Sequence, residues 1–306
     1  MSVAASGPVS RPGVRHLLLG YLDLTKPRIV FLVILTGVPA LLMASPVVPP
    51  AAQFWGTLIG TALAAGAASS FNHYVDRDID GLMKRTARRP LPSGLLPPSH
   101  ALTLGFALTV LAWFTLCAFG TVLAAVIAMA SIVYYAIVYT VWLKRRTPMN
   151  IVIGGGAGAS APLIAWAAVT GRIELPAVLL ASIIFLWTPP HFWALSLYRR
   201  DDYERAGIPM LPVTHGEPET RRQILLYSLV LAASTMVVAP LAGLGILYTV
   251  SAALLGALFV AGAVRLYRSP SVANAQGLFR YSIAYLFVLF LMMSMDALAM
   301  AGRARP

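Results

Sequence analysis

Hydrophobic positions in this chain run together in nine blocks, near residues 29–45, 53–73, 101–119, 121–142, 151–169, 175–196, 224–241, 243–264 and 281–300. Each block is close to the ~20 apolar residues that carry a helix across ~30 Å of hydrocarbon. The pattern predicts an all-α polytopic membrane protein with nine transmembrane helices. Polar residues collect between the blocks, in two longer segments at about 74–100 and 197–223 and in very short links around Gly120 and Gly243. Within the longer segments stand Arg88-Arg89-Pro90-Leu91-Pro92-Ser93-Gly94 and Gly207-Ile208-Pro209-Met210-Leu211-Pro212. Proline lacks an amide donor and glycine accepts positive φ, so each stretch predicts a compact loop lying as a lid over nearby side chains.

Composition agrees with the pattern. Hydrophobic residues make up 58% and charged residues 11%, with a mean hydropathy of +0.77; a soluble domain would carry about 25% charged residues. Basic residues give a net charge of +12, yet they sit in short loops beside the apolar blocks, which argues for topology and anionic lipid and against nucleic acid. With nine spans and a cytoplasmic N-terminus, 20 of the 23 basic residues fall on the cytoplasmic side, leaving only Arg172, Arg303 and Arg305 outside it. That asymmetry predicts a multi-pass protein of a bacterial-type inner membrane, with both long polar segments cytoplasmic. Residues 1–28 show no apolar stretch ending in a small-residue cleavage site, so the first helix is expected to be its own insertion signal. The expected organisation is a cytoplasmic segment 1–28, a single transmembrane domain 29–300 and a tail 301–306. The sole cysteine, Cys117, lies in an apolar block and excludes a disulfide framework or zinc cluster.

The acidic residues change the picture. Asn72-His73-Tyr74-Val75-Asp76-Arg77-Asp78-Ile79-Asp80 and Asp201-Asp202-Tyr203-Glu204 hold six of the eleven acids in the chain. Steps of four residues advance about 40° beyond one helical turn, so Asn72, Asp76 and Asp80 line one face. Magnesium is usually held by one or two carboxylates together with substrate phosphate oxygens, which this face and the second acidic group suit. A diphosphate bridging metal bound at both would leave as a stabilised anion, and Arg88 and Arg89 could hold its oxygens bidentately; Lys84 and Arg85 are weaker partners. Asp78 points about 200° from Asp76 and is expected to pair with the loop's own arginines. His73, turned about 100° from Asn72, reads as structural. Gly154, Gly155, Gly156 and Gly158 predict close helix packing, since no Gly-Lys-Ser/Thr follows them. His191, in a helix that Pro189 and Pro190 are expected to break, is either an interior hydrogen-bonding group or a substrate contact.

These motifs resemble a known family. Asn72-xxx-Asp76-xxx-Asp80, followed by Arg85-Thr86 and Arg88-Arg89-Pro90-Leu91, is similar to the first motif of the intramembrane prenyltransferase superfamily. Further stretches narrow the likeness to its haem-farnesylating branch. They are Thr25-Lys26-Pro27-Arg28, the run from Tyr139 through Lys144 to Gly155, Trp187 to Trp193, and Asp202-Tyr203 with Ala206 to Val213. The resemblance implies a bundle around a central cavity, Mg2+ as cofactor, and transfer of the farnesyl group of farnesyl diphosphate to a vinyl group of haem B to give haem O. It implies catalytic roles for Asn72, Asp76, Asp80 and Asp202, the three aspartates as metal ligands. It implies substrate binding by Lys26, Arg28, Arg88, Arg89, Tyr139, Lys144, His191 and Asp201, and handover of product to a downstream haem-modifying membrane enzyme. One departure stands out. The superfamily often has a second aspartate pair four residues apart, whereas Tyr198 occupies that place here and Asp201 and Asp202 are adjacent. Adjacent helical residues diverge by about 100°, so one of them is expected to ligate, and Asp202 holds the matching Asp-Tyr position. Two other readings remain open: a prenyltransferase acting on an aromatic quinone precursor, and a transporter whose acids form an ion path. The transporter reading would require acids at mid-membrane, where only Asp296 is a candidate.

Overall fold

The structure is a computed structural model that describes residues 13–303; Arg11, Arg305 and the expected tail at 304–306 lie outside the described residues. Its helices are α1 Val14–Leu24, α2 Pro27–Met43, α3 Ala51–Asp80, α4 Pro98–Phe119, α5 Val122–Leu143, α6 Asn150–Gly158, α7 Ser160–Thr170, α8 Leu175–Tyr198, α9 Arg200–Arg205, α10 Leu211–Thr214, α11 Gly216–Leu241, α12 Ile246–Arg268 and α13 Val272–Arg303. Among the described residues eight spans are long and apolar enough to cross a membrane, with α6 and α7 forming one of them. A ninth results only if α1 and α2, bent by 45° at Thr25-Lys26, count as one broken span. Large apolar side chains stand exposed on the outer helices, among them Phe106, Val110 and Phe114 on α4 and Leu254 and Leu258 on α12, as lipid contact requires.

The ends of the helices follow from local chemistry. Pro27 and Pro98 open α2 and α4 where a missing N–H costs nothing. Thr121 caps α5 by accepting from Ala124 N, and Gly171, at φ 68°, closes α7. Lys26 is the one non-glycine residue at positive φ (51°) among the described residues, and it holds the break between α1 and α2.

Packing places α7 centrally, against α2, α3, α5 and α8, while α8, α11, α12 and α13 build a second apolar core with α2. Helices α3 and α4 approach very closely. A Cβ on Gly56 would lie 2.3 Å from Phe119 and one on Gly60 2.6 Å from Leu116, so those two glycines are required. Buried Asp296 accepts from the Gly245 amide at the start of α12, a carboxylate placed on a helix N-terminus.

Several sequence expectations need correction. The apolar block at 53–73 marks only part of its helix: α3 continues without interruption to Asp80, so Asn72, Asp76 and Asp80 stand on the helical face that their spacing predicts. Pro189 and Pro190 do not break α8, which runs through them packed against α11 and α13. The expected single helix at 151–169 is interrupted at Ala159. Finally, the second half of α5, Tyr134–Leu143, is wound as a π-helix, and Lys144 N donates to Tyr139 O five residues back at 2.8 Å.

Candidate active site

At the end of α3 the aligned face is fully buried: Asp76 and Asp80 are 0% exposed and Asn72 3%. Three segments converge on it. From the α1–α2 break, Lys26 Nζ donates to Asn72 Oδ1 at 2.6 Å. From the π-helical end of α5, Lys144 Nζ donates to Asp76 Oδ2 at 2.5 Å, and Thr140 Oγ1 accepts from Asn72 Nδ2 at 3.2 Å. Asn72 Nδ2 also donates to Asp76 Oδ2 at 2.7 Å. From the loop after α3, Arg89 Nη1 donates to Asp80 Oδ2 at 2.7 Å, and Thr86 Oγ1 donates to Asp80 O at 2.8 Å.

The second acidic segment joins the same place. Asp202, 6% exposed on α9, accepts from Lys84 N at 3.3 Å and pairs with Arg205. Ile79 and Met83 pack with Tyr203, Ile208 and Met210 and with Ile151 of α6, so an apolar seam fixes α9 against the end of α3. Burial pushes the Tyr203 phenol up, with the Arg85 guanidinium opposing it. Two acidic motifs about 120 residues apart in sequence therefore meet one loop, residues 81–97, which supplies Arg89 to Asp80 and the Lys84 amide to Asp202.

The remaining sequence candidates divide. Arg28, Arg88 and Asp201 are exposed and make no side-chain hydrogen bond or ion pair among the described residues. Tyr139 is half-buried, its ring 5.3 Å from that of Tyr135, and it sits so close to α6 that a Cβ on Gly154 would lie 2.2 Å from Tyr139 Cδ2. Gly155 and Gly156 face Thr188 and Tyr134, whereas Gly158 meets nothing within 4 Å. His191 is an interior group, with Nδ1 2.6 Å from Ser282 Oγ and its ring stacked between Trp187 and Phe279. Asp78 is exposed and takes a bidentate pair from Arg145 at 2.7 Å, not from its neighbour Arg77, which lies over the Tyr74 ring. Arg145 is held further up in pKa by that bond. Sequence reading missed Thr140 and Arg145 as site residues, although both lie in the stretch from Tyr139 to Gly155, because the π-helical winding of Tyr134–Leu143 sets where they point.

Below the charged groups a cavity of about 110 Å³ runs between α2, α3, α5 and α7, from Lys26 and Ser69 down to Thr61 and Ile164. It is a narrow slot, smaller than the ~300–1,000 Å³ of a pocket for a drug-sized ligand.

Magnesium fits the residues present. Asp76 Oδ1 and Asp80 Oδ1 are buried without a hydrogen-bond partner; Arg145 Nη2 stands 4.0 Å from Asp76 Oδ1. Hard carboxylate oxygens of this kind suit a cation that takes one or two of them and completes its shell with water and phosphate. Among the described residues no three acids, histidines or cysteines converge closely enough to enclose an ion by themselves, so the expected set of three aspartate ligands is not assembled.

A helical membrane bundle with buried carboxylates and bases at one end of α3 agrees with the intramembrane prenyltransferase resemblance of the sequence motifs. Residues 30–293 match the UbiA prenyltransferase family model, and the chain belongs to that family. It is 48% identical over 278 residues to a "Protoheme IX farnesyltransferase" of Symbiobacterium thermophilum, covering 90% of this chain and 93% of that one. A relative of the same name from Roseiflexus sp. is 46% identical over 302 residues and 96% of this chain, which spans 57% of that longer protein. Among solved structures, a digeranylgeranylglyceryl phosphate synthase superposes with a TM-score of 0.75 at 19% identity, over 92% of this chain and 99% of that one. A UbiA homologue from Archaeoglobus fulgidus bound to GPP and Mg2+ superposes with a TM-score of 0.59 at 17% identity, over 89% and 99%. The likeness to solved structures establishes the fold.

Proposed function

We propose that the chain transfers the farnesyl group of farnesyl diphosphate to the vinyl group of protohaem IX, giving haem O. The observation that carries this reading is the buried pair Asp76 and Asp80, each with a base of this chain on one carboxylate oxygen and the other oxygen left free, with Asp202 joined to the following loop through the Lys84 amide. The names of the relatives support the choice of substrates.

In this reading Asp76, Asp80 and Asp202 hold magnesium, and Lys26, Lys144 and Arg89 hold diphosphate oxygens. Bound magnesium supplies charge neutralisation for the departing diphosphate. The C1–O bond of the prenyl chain breaks with both electrons on the leaving group. The terminal vinyl carbon donates its π pair to form the new C–C bond, and water adds to the inner carbon and loses a proton. Asn72 orients Asp76 and Lys26 through its two hydrogen bonds, and Tyr139 closes the α5–α6 side of the site. Apolar walls around the slot keep bulk water from the allylic cation. Arg28, Arg88 and Asp201 stand at the mouth, where they guide anionic groups inward; His191 lies deeper, beside the porphyrin. The domain is 29–300, with a cytoplasmic N-terminus and cytoplasmic loops in an inner membrane, and the product passes to a downstream haem-modifying enzyme.

The test is incubation of purified protein in detergent with haem B, farnesyl diphosphate and magnesium, with and without chelator, followed by mass spectrometry of the porphyrins. A chelator-sensitive hydroxyethylfarnesyl adduct is expected. Prenylation of 4-hydroxybenzoate in place of haem would overturn the acceptor, and no product with either would overturn the transferase reading.

A further inference from the structure

One buried group beside the site has no work in the mechanism above. His73 is 2% exposed, and neither Nδ1 nor Nε2 has a hydrogen-bond partner. An imidazole in the protein interior ordinarily satisfies at least one nitrogen, because leaving both without partners forfeits the hydrogen bonds they made in water. Its position on α3 is informative. Seven residues separate it from Asp80, which leaves it about 20° from Asp80 around the helix and two turns beneath it, and about 60° from Asp76. The same face is engaged on both sides of His73. One turn below, Ser69 Oγ donates to Leu24 O at the α1–α2 break at 2.7 Å, and two turns above, Asp80 takes Arg89. The neighbouring polar residues along this stretch of α3 carry three bases of the site: Lys26 on Asn72, Lys144 on Asp76 and Arg89 on Asp80.

Resting on the transferase reading, we propose that His73 is an additional positioning residue for the substrate, an uncharged hydrogen-bond donor to the anionic diphosphate oxygens that Lys26, Lys144 and Arg89 hold. A neutral N–H suits that place. A fourth cation would repel the other three, whereas an imidazole adds a directed donor without added charge, and its second nitrogen can accept from a neighbouring ammonium. The unpartnered state of both nitrogens in the ligand-free protein is then a binding site held ready for use.

The test measures affinity for inorganic diphosphate with Mg2+ by thermal shift and calorimetry on the full chain in detergent, for wild type, His73→Phe and His73→Asn. His73→Phe is expected to unfold no earlier than wild type without ligand, since it removes an unsatisfied group, yet to bind magnesium diphosphate at least about tenfold more weakly. His73→Asn, which keeps an N–H donor, is expected to recover most of that affinity. Titration with free protoporphyrin IX should be unchanged in all three. Equal diphosphate affinity in wild type and His73→Phe would overturn the assignment while leaving the transferase reading intact. So would a fall in ligand-free stability in both variants without a change in affinity, or a loss confined to the porphyrin. Absence of any diphosphate response in wild type would overturn both.

Discussion

Lys26 holds a backbone conformation that side-chain-bearing residues avoid, at φ 51° and ψ 64° directly before Pro27, and such a geometry costs on the order of 1–3 kcal/mol. What it secures is the ammonium on Asn72. Lys26→Gly separates the two effects. Relief of the backbone offsets the lost hydrogen bond, so stability in a denaturant titration should stay within about 1 kcal/mol of wild type, while farnesyl transfer falls at least about tenfold. A large loss of stability with normal turnover would show the lysine to be a structural strut. The aspartates sort by burial in the same way. Asp76→Ala, Asp80→Ala and Asp202→Ala should each abolish transfer in protein that still inserts into membranes. Asp78→Ala should be mild, because the Asp78 side chain is 58% exposed and an exposed pair is worth only about 0.2–1 kcal/mol. Equal loss in all four at normal expression would refute the single buried face. Periodicity alone could separate Asp78 from its neighbours, but it could not place Thr140 or Arg145, whose positions depend on how α5 winds.

At the scale of elements, the approach of α5 to α6 positions Tyr139 and Lys144. Gly154→Ala forces a methyl group into the Tyr139 ring, and overpacking of this kind costs about 1–3 kcal/mol; transfer should fall with it as the end of α5 is displaced. Gly158→Ala meets open space and should change stability by no more than about 0.5 kcal/mol. Both values can be read from thermal unfolding in detergent, and equal effects would remove the packing argument. The membrane helices were readable from the nine apolar blocks because hydrocarbon thickness sets their length. The four-residue spacing of Asn72, Asp76 and Asp80 carried the helical reading past the apolar block at 53–73, and Lys144 and Arg89 bury that polar end. The π-helical turns were hidden: they arise from five-residue hydrogen bonds that leave no mark in hydrophobic pattern. Proline at 189 and 190 misled for a related reason, since packing on both sides of α8 keeps a helix intact where an isolated one would bend.

For the molecule as a whole, the buried carboxylates and their bases lie at one end of α3, and α8, α11, α12 and α13 serve as an apolar frame. Asp296, the one acid that might have marked an ion path, instead caps α12 through Gly245, which removes the main support for a transporter. Within the frame, each buried carboxylate of the site already holds a base of its own chain: Lys144 on Asp76, Arg89 on Asp80 and Arg205 on Asp202. On the proposed reading, loading the enzyme is then a double displacement, like the metathesis of two salts. Magnesium can take the carboxylates only if the bases find another anion, and diphosphate can take the bases only if the carboxylates find another cation. Either partner offered alone should bind weakly and the two together strongly, by a coupling of the usual 5–150-fold, which calorimetric titration of each in the presence and absence of the other would measure. Independent binding would mean that the pairs seen here do not have to part. If they do, the enzyme cannot commit its metal until its prenyl donor has arrived.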